Sequence, residues 1–428
     1  MDKEKLKKIK VIYYPYKVVK KISGNLRYFH SLFYISKNRK RVRNKINNEE
    51  VLNVIFLVQY IPGWNKLEPI YSKMRNDKRF NPLIVCVPLN IQNHKLVDNS
   101  GNDTYEYFVG HGYEAINSLT GDGIWYDLKQ LDPDYLFHSR PYNHFMPDCY
   151  TSGKIVKYAL ICNVMYGASM TTSGQDVWLN KDYFRNAYLY FAFDCCEKNY
   201  YENKFRFGVK SGLQKCLPYG STGLEQILKS ECGEQNLRFK KTVLWTPRWS
   251  TDLCIGGSNF FNYKDALIHL AKENRDILFV FRPHPLMFDN FIKTGEMSRE
   301  EVAQFKGYCA GEKNIVLDES KEYADKFWNS DFLITDASGI VPEYFVTRKP
   351  ILYCHTYADF TYAQYAMDMI GACYEVKDEE DINSYFNEIV NDNDYKLRDR
   401  EECLAKYFAD VKNNSSNILN ALGREGLL

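Results

Sequence analysis

Residues 330–344 read Ser330-Asp331-Phe332-Leu333-Ile334-Thr335-Asp336-Ala337-Ser338-Gly339-Ile340-Val341-Pro342-Glu343-Tyr344. Phe332 to Thr335 form the short unbroken apolar run expected of a strand covered on both faces. The run passes into Asp336-Ala337-Ser338-Gly339, a turn of capping residue types. Helix-compatible residues follow, with Pro342 near the first turn, where a missing N–H is tolerated. Strand, tight turn and helix in succession is the βα unit of a doubly wound parallel sheet. Ligands bind such sheets at the carboxyl ends of the strands. A helix N-terminus with free N–H groups suits phosphate there. Ser338 can add its hydroxyl, and Gly339 lets a ligand approach the backbone. Taken alone, the turn also reads as an ordinary N-cap, and Glu343 as a solvated helix acid.

Two other stretches end in the same way. Leu244-Trp245-Thr246-Pro247-Arg248-Trp249-Ser250 and Phe279-Val280-Phe281-Arg282-Pro283-His284-Pro285 are apolar runs that stop on Pro-stiffened loops. A histidine bracketed by prolines is rigidly presented and can protonate or hydrogen-bond a phosphate or leaving group. Arg282 and Arg248 can offer charge-assisted hydrogen bonds. Three strand ends of one sheet would thus bring Arg248, Arg282, His284 and Ser338 together, which favours a site over three unrelated loops.

Further strands are expected at Thr242 to Thr246, Ile277 to Phe281, Asn314 to Leu317 and Ile351 to Cys354. Helices are expected around Phe261 to Lys272, at 340 to 347 and through the acidic segment from 375 onward. Nearer the N-terminus, Val51 to Val58 reads as a buried strand. A helix follows, with Asn65 as N-cap, Glu68 in a capping-box position, and Leu67, Ile70, Tyr71 and Met74 on its buried face. Leu83 to Val87, Tyr135 to Phe137 and Ile155 to Cys162 continue the alternation. The fold class is therefore α/β, with two Rossmann-like doubly wound domains over 49–236 and 237–428, preceded by a basic arm, 1–48.

The chain has 428 residues, 45% of them hydrophobic and 15% aromatic, which excludes global disorder and fibrous classes. No run reaches the ~18 uninterrupted apolar residues of a spanning helix, and lysines interrupt every apolar run of the N-terminus, so no secretory signal is read. The formal net charge is +2, but residues 1–48 hold 15 Lys+Arg and two acids, a balance of +13. The other residues hold 41 basic and 52 acidic groups, a balance of −11. Tyr13, Tyr14, Tyr16, Tyr28, Phe29, Phe33 and Tyr34 are interleaved with the arm's lysines. Basic and interfacial aromatic residues together suit an anionic membrane surface; a solvated or self-docked segment is the plainer alternative. Nucleic acid is disfavoured, because no recognition module is present and the acidic body would repel phosphates. The 12 cysteines include no C-x-x-C pair, which points to a reducing compartment and away from a structural metal.

The sequence T-P-R-W, then R-P-H-P, then S-D-F-L-I-T-D-A-S-G-I-V-P-E-Y-F followed by K-P-I-L-Y, resembles the CDP-glycerol glycerophosphotransferase family of teichoic acid and capsule synthesis. The resemblance spans about 242 to 356 and shades into other two-domain transferases of the glycosyltransferase-B (GT-B) architecture. It implies a transferase that moves glycerol phosphate from a CDP-alditol (CDP-glycerol or CDP-ribitol) to a hydroxyl of a lipid-linked glycan or cell-surface polymer, releasing CMP. By motif position it implies His284 at the donor phosphate, Asp336, Ser338 and Gly339 around the pyrophosphate, and Glu343 at the ribose. Arg248 and Arg282 are added on electrostatic grounds. It implies no tightly bound cofactor, and a cytoplasmic enzyme peripheral on the inner face of the membrane. In the family's better-known polymerases a His-Gly pair in the N-terminal domain serves the acceptor. Here the matching strand end carries Tyr166-Gly167, and His138 and His144 are substitutes; Tyr166 and His138 are the acceptor-side candidates. Two alternatives stay open: a GT-B sugar transferase using a nucleotide sugar for capsule or lipopolysaccharide, and a non-catalytic nucleotide-binding scaffold.

Overall fold

The computed structural model describes residues 10–98, 101–121, 123–168, 170–172, 175–230, 238–320 and 323–424. The first nine residues of the arm, Cys232 and the expected boundary at 236–237 lie outside the described residues. Two units divide the chain: Met1–Tyr166, Val177–Gly220 and Ser415–Leu428 form one, and Gly167–Asp176 with Ser221–Asn414 form the other. The arm is thus part of the first unit, the division falls earlier than position 236, and the chain returns to the first unit in its final helix.

The first unit holds a seven-stranded sheet: β1 (Leu52–Val58), β2 (Phe80–Cys86), β3 (Ala115–Asn117), β4 (Tyr135–His138), β5 (Leu160–Val164), β6 (Ala187–Phe191) and β7 (Lys215–Leu217). Their order is β3-β2-β1-β4-β5-β6-β7, and every pair is parallel. The order reverses between β1 and β4, so a crevice is expected beyond the ends of those two strands. Helix α1 (Lys10–Asn47) buries Ser31, Leu32, Ile35, Asn38 and Val42. Asn38 Nδ2 donates to Val156 O at 2.8 Å, and Arg41 and Lys45 pair with Asp132 and the fully buried Asp134. The C-terminal half of the arm is therefore a docked core element.

Helix α2 (Trp64–Arg75) buries Leu67, Ile70, Tyr71 and Met74, as the spacing predicts. Its expected capping box does not form. A 3₁₀ turn over Ile61–Gly63 carries the chain into the helix two residues early, with Gly63 as N-cap, which leaves Asn65 inside it, and Glu68 instead accepts from Ser72 Oγ. The strand expected to begin at Ile155 begins at Leu160, because residues 152–155 make a helical turn.

The second unit holds a six-stranded sheet: β8 (Lys241–Thr246), β9 (Ile277–Phe281), β10 (Ile315–Leu317), β11 (Phe332–Thr335), β12 (Ile351–Cys354) and β13 (Tyr374–Val376). The order is β10-β9-β8-β11-β12-β13, again all parallel. The reversal falls between β8 and β11, with Thr246 directly opposite Thr335. Phe279, Phe281, Phe332, Ile334 and Leu352 are buried beneath helices such as α3 (Phe260–Glu273). The short helix α4 (Ile340–Phe345) follows β11. Among the described residues no helix is long and apolar enough to cross a membrane.

Candidate functional site

At the reversal in the second unit, Thr246 Oγ1 donates to Thr335 Oγ1 at 2.9 Å, and Thr335 Oγ1 donates to Thr246 O at 2.8 Å. This clasp holds the two strand ends together. One residue on, Asp336 is buried, and each carboxylate oxygen accepts one backbone N–H: Oδ1 from Arg248 and Oδ2 from Asn259, both at 2.9 Å. Burial pushes its carboxyl up to about 6, against the opposing pull of those two amides and the Arg248 charge. Asp336 therefore ties the β8 loop to the β11 loop, and a carboxylate so engaged is a poor partner for a pyrophosphate. This corrects its expected place among the donor ligands.

Arg248 is positioned by that bracket. One Nη1 proton goes to Ala337 O, while Nε is buried and has no partner among the described residues. Burial lowers the pKa of the guanidinium. A glycine lies against it: a Cβ at Gly256, whose φ is +115°, would stand 2.7 Å from Arg248 Cζ. His284 accepts from Leu286 N–H through Nδ1 at 3.1 Å, which leaves the neutral ring's proton on Nε2. The residue is exposed, but the packing around the side chain and the Arg248 charge both hold its pKa below 6.5. The rings of His284 and Trp249 are 6.2 Å apart. Ser338 Oγ accepts from Ile340 N at 3.4 Å, and Gly339 is exposed.

The structure thus brings Arg248, His284, Ser338 and Gly339 to one switch point, and it withdraws two other expected donor residues. Arg282 pairs with Asp318 at 2.5 Å, donates to Ser320 Oγ and Ser320 O, and stacks on Tyr323 at 5.4 Å. Its fork is spent on the β10 loop, so it is a positioning group. Glu343 is buried and accepts from Tyr323 OH at 2.6 Å. Neither expected ligand role has its charge free.

Sequence reasoning also missed residues. Asn259 anchors its loop by donating Nδ2 to Cys354 O and His355 O. The segment Gly167–Asp176 runs beside residues 361–363, with Thr172 N donating to Thr361 O at 2.7 Å and Ala363 N to Met170 O at 2.8 Å. A Cβ at Gly339 would stand 3.3 Å from Ala168 O. The Gly256-Gly257 pair was the one local signal of a special turn; the others rest on contacts distant in sequence.

In the first unit, His138 is fully buried in β4. Its Nε2–H donates to Tyr150 O at 3.0 Å, and Nδ1 accepts from Tyr183 OH at 3.1 Å. Burial pushes its pKa down to about 4. Both nitrogens are spent inside the core, so His138 is a structural residue, against expectation. Tyr166 instead lies just past β5 at a partly buried cluster. Its hydroxyl is 3.2 Å from that of Tyr142, its ring 5.8 Å from that of Tyr60, and Arg140 stacks over Tyr60. His111 is exposed, with Nδ1 2.7 Å from Tyr107 O, and His144, exposed on the 3₁₀ turn Asn143–Phe145, has its ring 5.8 Å from that of Tyr142. Among the described residues no group of three or more His, Cys, Asp and Glu could hold a metal ion.

The family model for CDP-glycerol:poly(glycerophosphate) glycerophosphotransferase matches residues 229–423. The matched span is 195 of the 428 residues, and over it the chain is similar to this family. It is accordingly an enzyme of the glycerophosphotransferase type. The match covers most of the second unit, including every strand end that carries Arg248, His284 and Ser338. No curated protein matches the transferase. Solved structures match across both units. MnaA of S. aureus with UDP aligns at 13% identity over 88% of this chain and 98% of its own, with a TM-score of 0.58. The UDP-GlcNAc 2-epimerase of Methanocaldococcus jannaschii aligns at 13% identity over 86% and 99%, with a TM-score of 0.54. The wall teichoic acid polymerase TagF soaked with CDPG aligns at 12% identity over 96% and 99%, with a TM-score of 0.51. At such identities these likenesses speak for the fold, two Rossmann-like domains of GT-B type.

Proposed function

We propose that the transferase moves an alditol phosphate, with glycerol phosphate first in line, from a CDP-alditol to a hydroxyl of a lipid-linked glycan or surface polymer. The observation that carries this is the family match laid over a switch point where Arg248, the His284 Nε2–H and the Ser338-Gly339 turn converge. The acceptor oxygen forms a bond to the alditol-side phosphorus. The bond from that phosphorus to the bridging oxygen breaks, and CMP leaves with the electron pair. CMP is a phosphate monoester with a second pKa near ~6, so it departs at neutral pH without an acid. A neutral His284 that donates a hydrogen bond is then sufficient, and Arg248 supplies positive charge where negative charge builds up. The acceptor proton goes to a base, for which Tyr166 is the candidate. A tyrosine is a weak base at neutral pH, so Tyr166→Phe is the direct check: near-normal turnover removes that role.

The same reading places the enzyme on the inner face of the membrane. Leu26, Phe29 and Phe33 are 65%, 52% and 64% exposed on α1, which supports contact with an anionic bilayer. The test of the donor is a panel of CDP-glycerol, CDP-ribitol and UDP-sugars, incubated with membranes and followed by nucleotide release. Release from a CDP-alditol alone is expected; release of UDP from a sugar donor would overturn the assignment in favour of a sugar transferase.

A further inference from the structure

A second cavity, of about 430 Å³, lies wholly within the first unit between α1 and the loops before β5 and β6. Arg27, Lys157, Lys181 and Arg185 line it, with His30 on the α1 side. Among the described residues none of these four cations has an acidic partner within ion-pairing distance. Two acids also reach the cavity, but both are engaged: Asp148 pairs with Lys154 at 3.2 Å, and Asp182 accepts from Asn143 Nδ2 at 2.8 Å. Four unpaired cations around one concave space, in a chain whose body is acidic overall, select for an anion. The volume is that of a small-molecule site, ~300–1,000 Å³.

The position of the cavity says where that anion comes from. On α1, residues 26, 29 and 33 share one face by helical spacing, and this face is exposed and apolar. Phe207, 54% exposed, extends it, with its ring 4.9 Å from that of Phe29. Residues 27 and 30 occupy the adjoining flank, between that apolar face and the buried face of Ser31, Ile35 and Val42. We propose that the cavity binds the phosphate of an anionic phospholipid headgroup while the Leu26, Phe29 and Phe33 face lies in the bilayer surface. Apolar contact and phosphate capture side by side are the two signals that stable peripheral attachment needs. The proposal rests on the membrane reading given above and adds a defined headgroup site to it.

Flotation of the full chain with phosphatidylcholine vesicles, with and without phosphatidylglycerol, tests both layers. Alongside it, calorimetric titration with dihexanoyl-phosphatidylglycerol below its micelle concentration, and with inorganic phosphate, probes the cavity without a bilayer. The wild type is expected to prefer the anionic vesicles and to bind the short-chain lipid more tightly than phosphate. Lys157→Ala/Lys181→Ala, at two exposed positions, is expected to lose that preference about tenfold or more and to bind the short-chain lipid correspondingly more weakly. Phe29→Ser/Phe33→Ser is expected to lose flotation but keep the short-chain lipid. If the lysine variant keeps the full preference, the headgroup site is overturned and the membrane reading stands. If the wild type floats with neither vesicle, the membrane reading falls and this proposal with it. Equal affinity for phosphate and the short-chain lipid would make the cavity a free-anion site and overturn the lipid assignment.

Discussion

Replacing Gly256 by alanine isolates the contribution of Arg248 to donor binding without touching Arg248 itself. Gly256 sits at φ +115°, and an added Cβ would come to 2.7 Å from Arg248 Cζ, 2.8 Å from Nη1 and 2.9 Å from Phe360 Cε2. Gly295, at φ +79°, caps a helix, and a Cβ added there would meet nothing within 4 Å, so Gly295→Ala is the matched control. Both variants bear a left-handed backbone cost of about 1–2 kcal/mol. Only Gly256→Ala forces the guanidinium to move. A charge-assisted hydrogen bond to phosphate is worth about 1.5–3 kcal/mol, so its loss should weaken the donor by roughly 10- to 150-fold. Calorimetric titration with CDP-glycerol, run beside thermal melts of both variants, reads the two effects separately. Equal donor affinity in the two variants, at equal loss of melting temperature, would refute Arg248 as a phosphate ligand.

Three more outcomes are expected. Imidazole ¹⁵N spectra of His284 should report the Nε2–H tautomer at neutral pH and a titration midpoint below 6.5, because burial and Arg248 both oppose protonation; an Nδ1–H ring or a midpoint above 6.5 contradicts this. The folded pKa of Asp336, about 6, lies above the unfolded 3.8, so the native state holds more protons between those values and stability falls as pH rises through them. Urea unfolding of wild type against Asp336→Asn should therefore show a difference that declines across that window by at most about 3 kcal/mol, and a flat difference rejects it. Ile35→Ala, at a fully buried position of α1, should cost about 2–5 kcal/mol, whereas Phe33→Ala, largely exposed, should stay within about 0.5 kcal/mol. Equal losses would mean that α1 is not docked.

The legible parts of this fold were those with a local physical signature. Ile277–Phe281, Phe332–Thr335 and Ile351–Cys354 are continuous apolar runs stopped by Arg, Asp or His, and each is a strand with those bounds. The edge strands Ala115–Asn117 and Lys215–Leu217 escaped notice because they are three residues long and mostly half-buried, and so lack an apolar run. Arg248, His284, Ser338 and Gly339 could be singled out as candidates because they closely follow strand ends. Arg282 was misread because its partners, Asp318 and Ser320, lie 36 and 38 residues away. His138 was misread because nothing in its spacing reveals that it points at Tyr150 and Tyr183 inside the core. Nor does any periodicity mark Gly167–Asp176 as a piece of the second unit.

Which bond of the donor breaks separates phosphate transfer from attack at carbon. With CDP-glycerol labelled in its alditol-side phosphate, the reaction should release unlabelled CMP and carry the label into the acceptor, and His284→Ala, which removes one hydrogen bond to a charged group, should slow that release by about tenfold to a hundredfold. Labelled CDP as the nucleotide product, with no label in the acceptor, would mean attack at carbon and contradict a phosphotransferase mechanism.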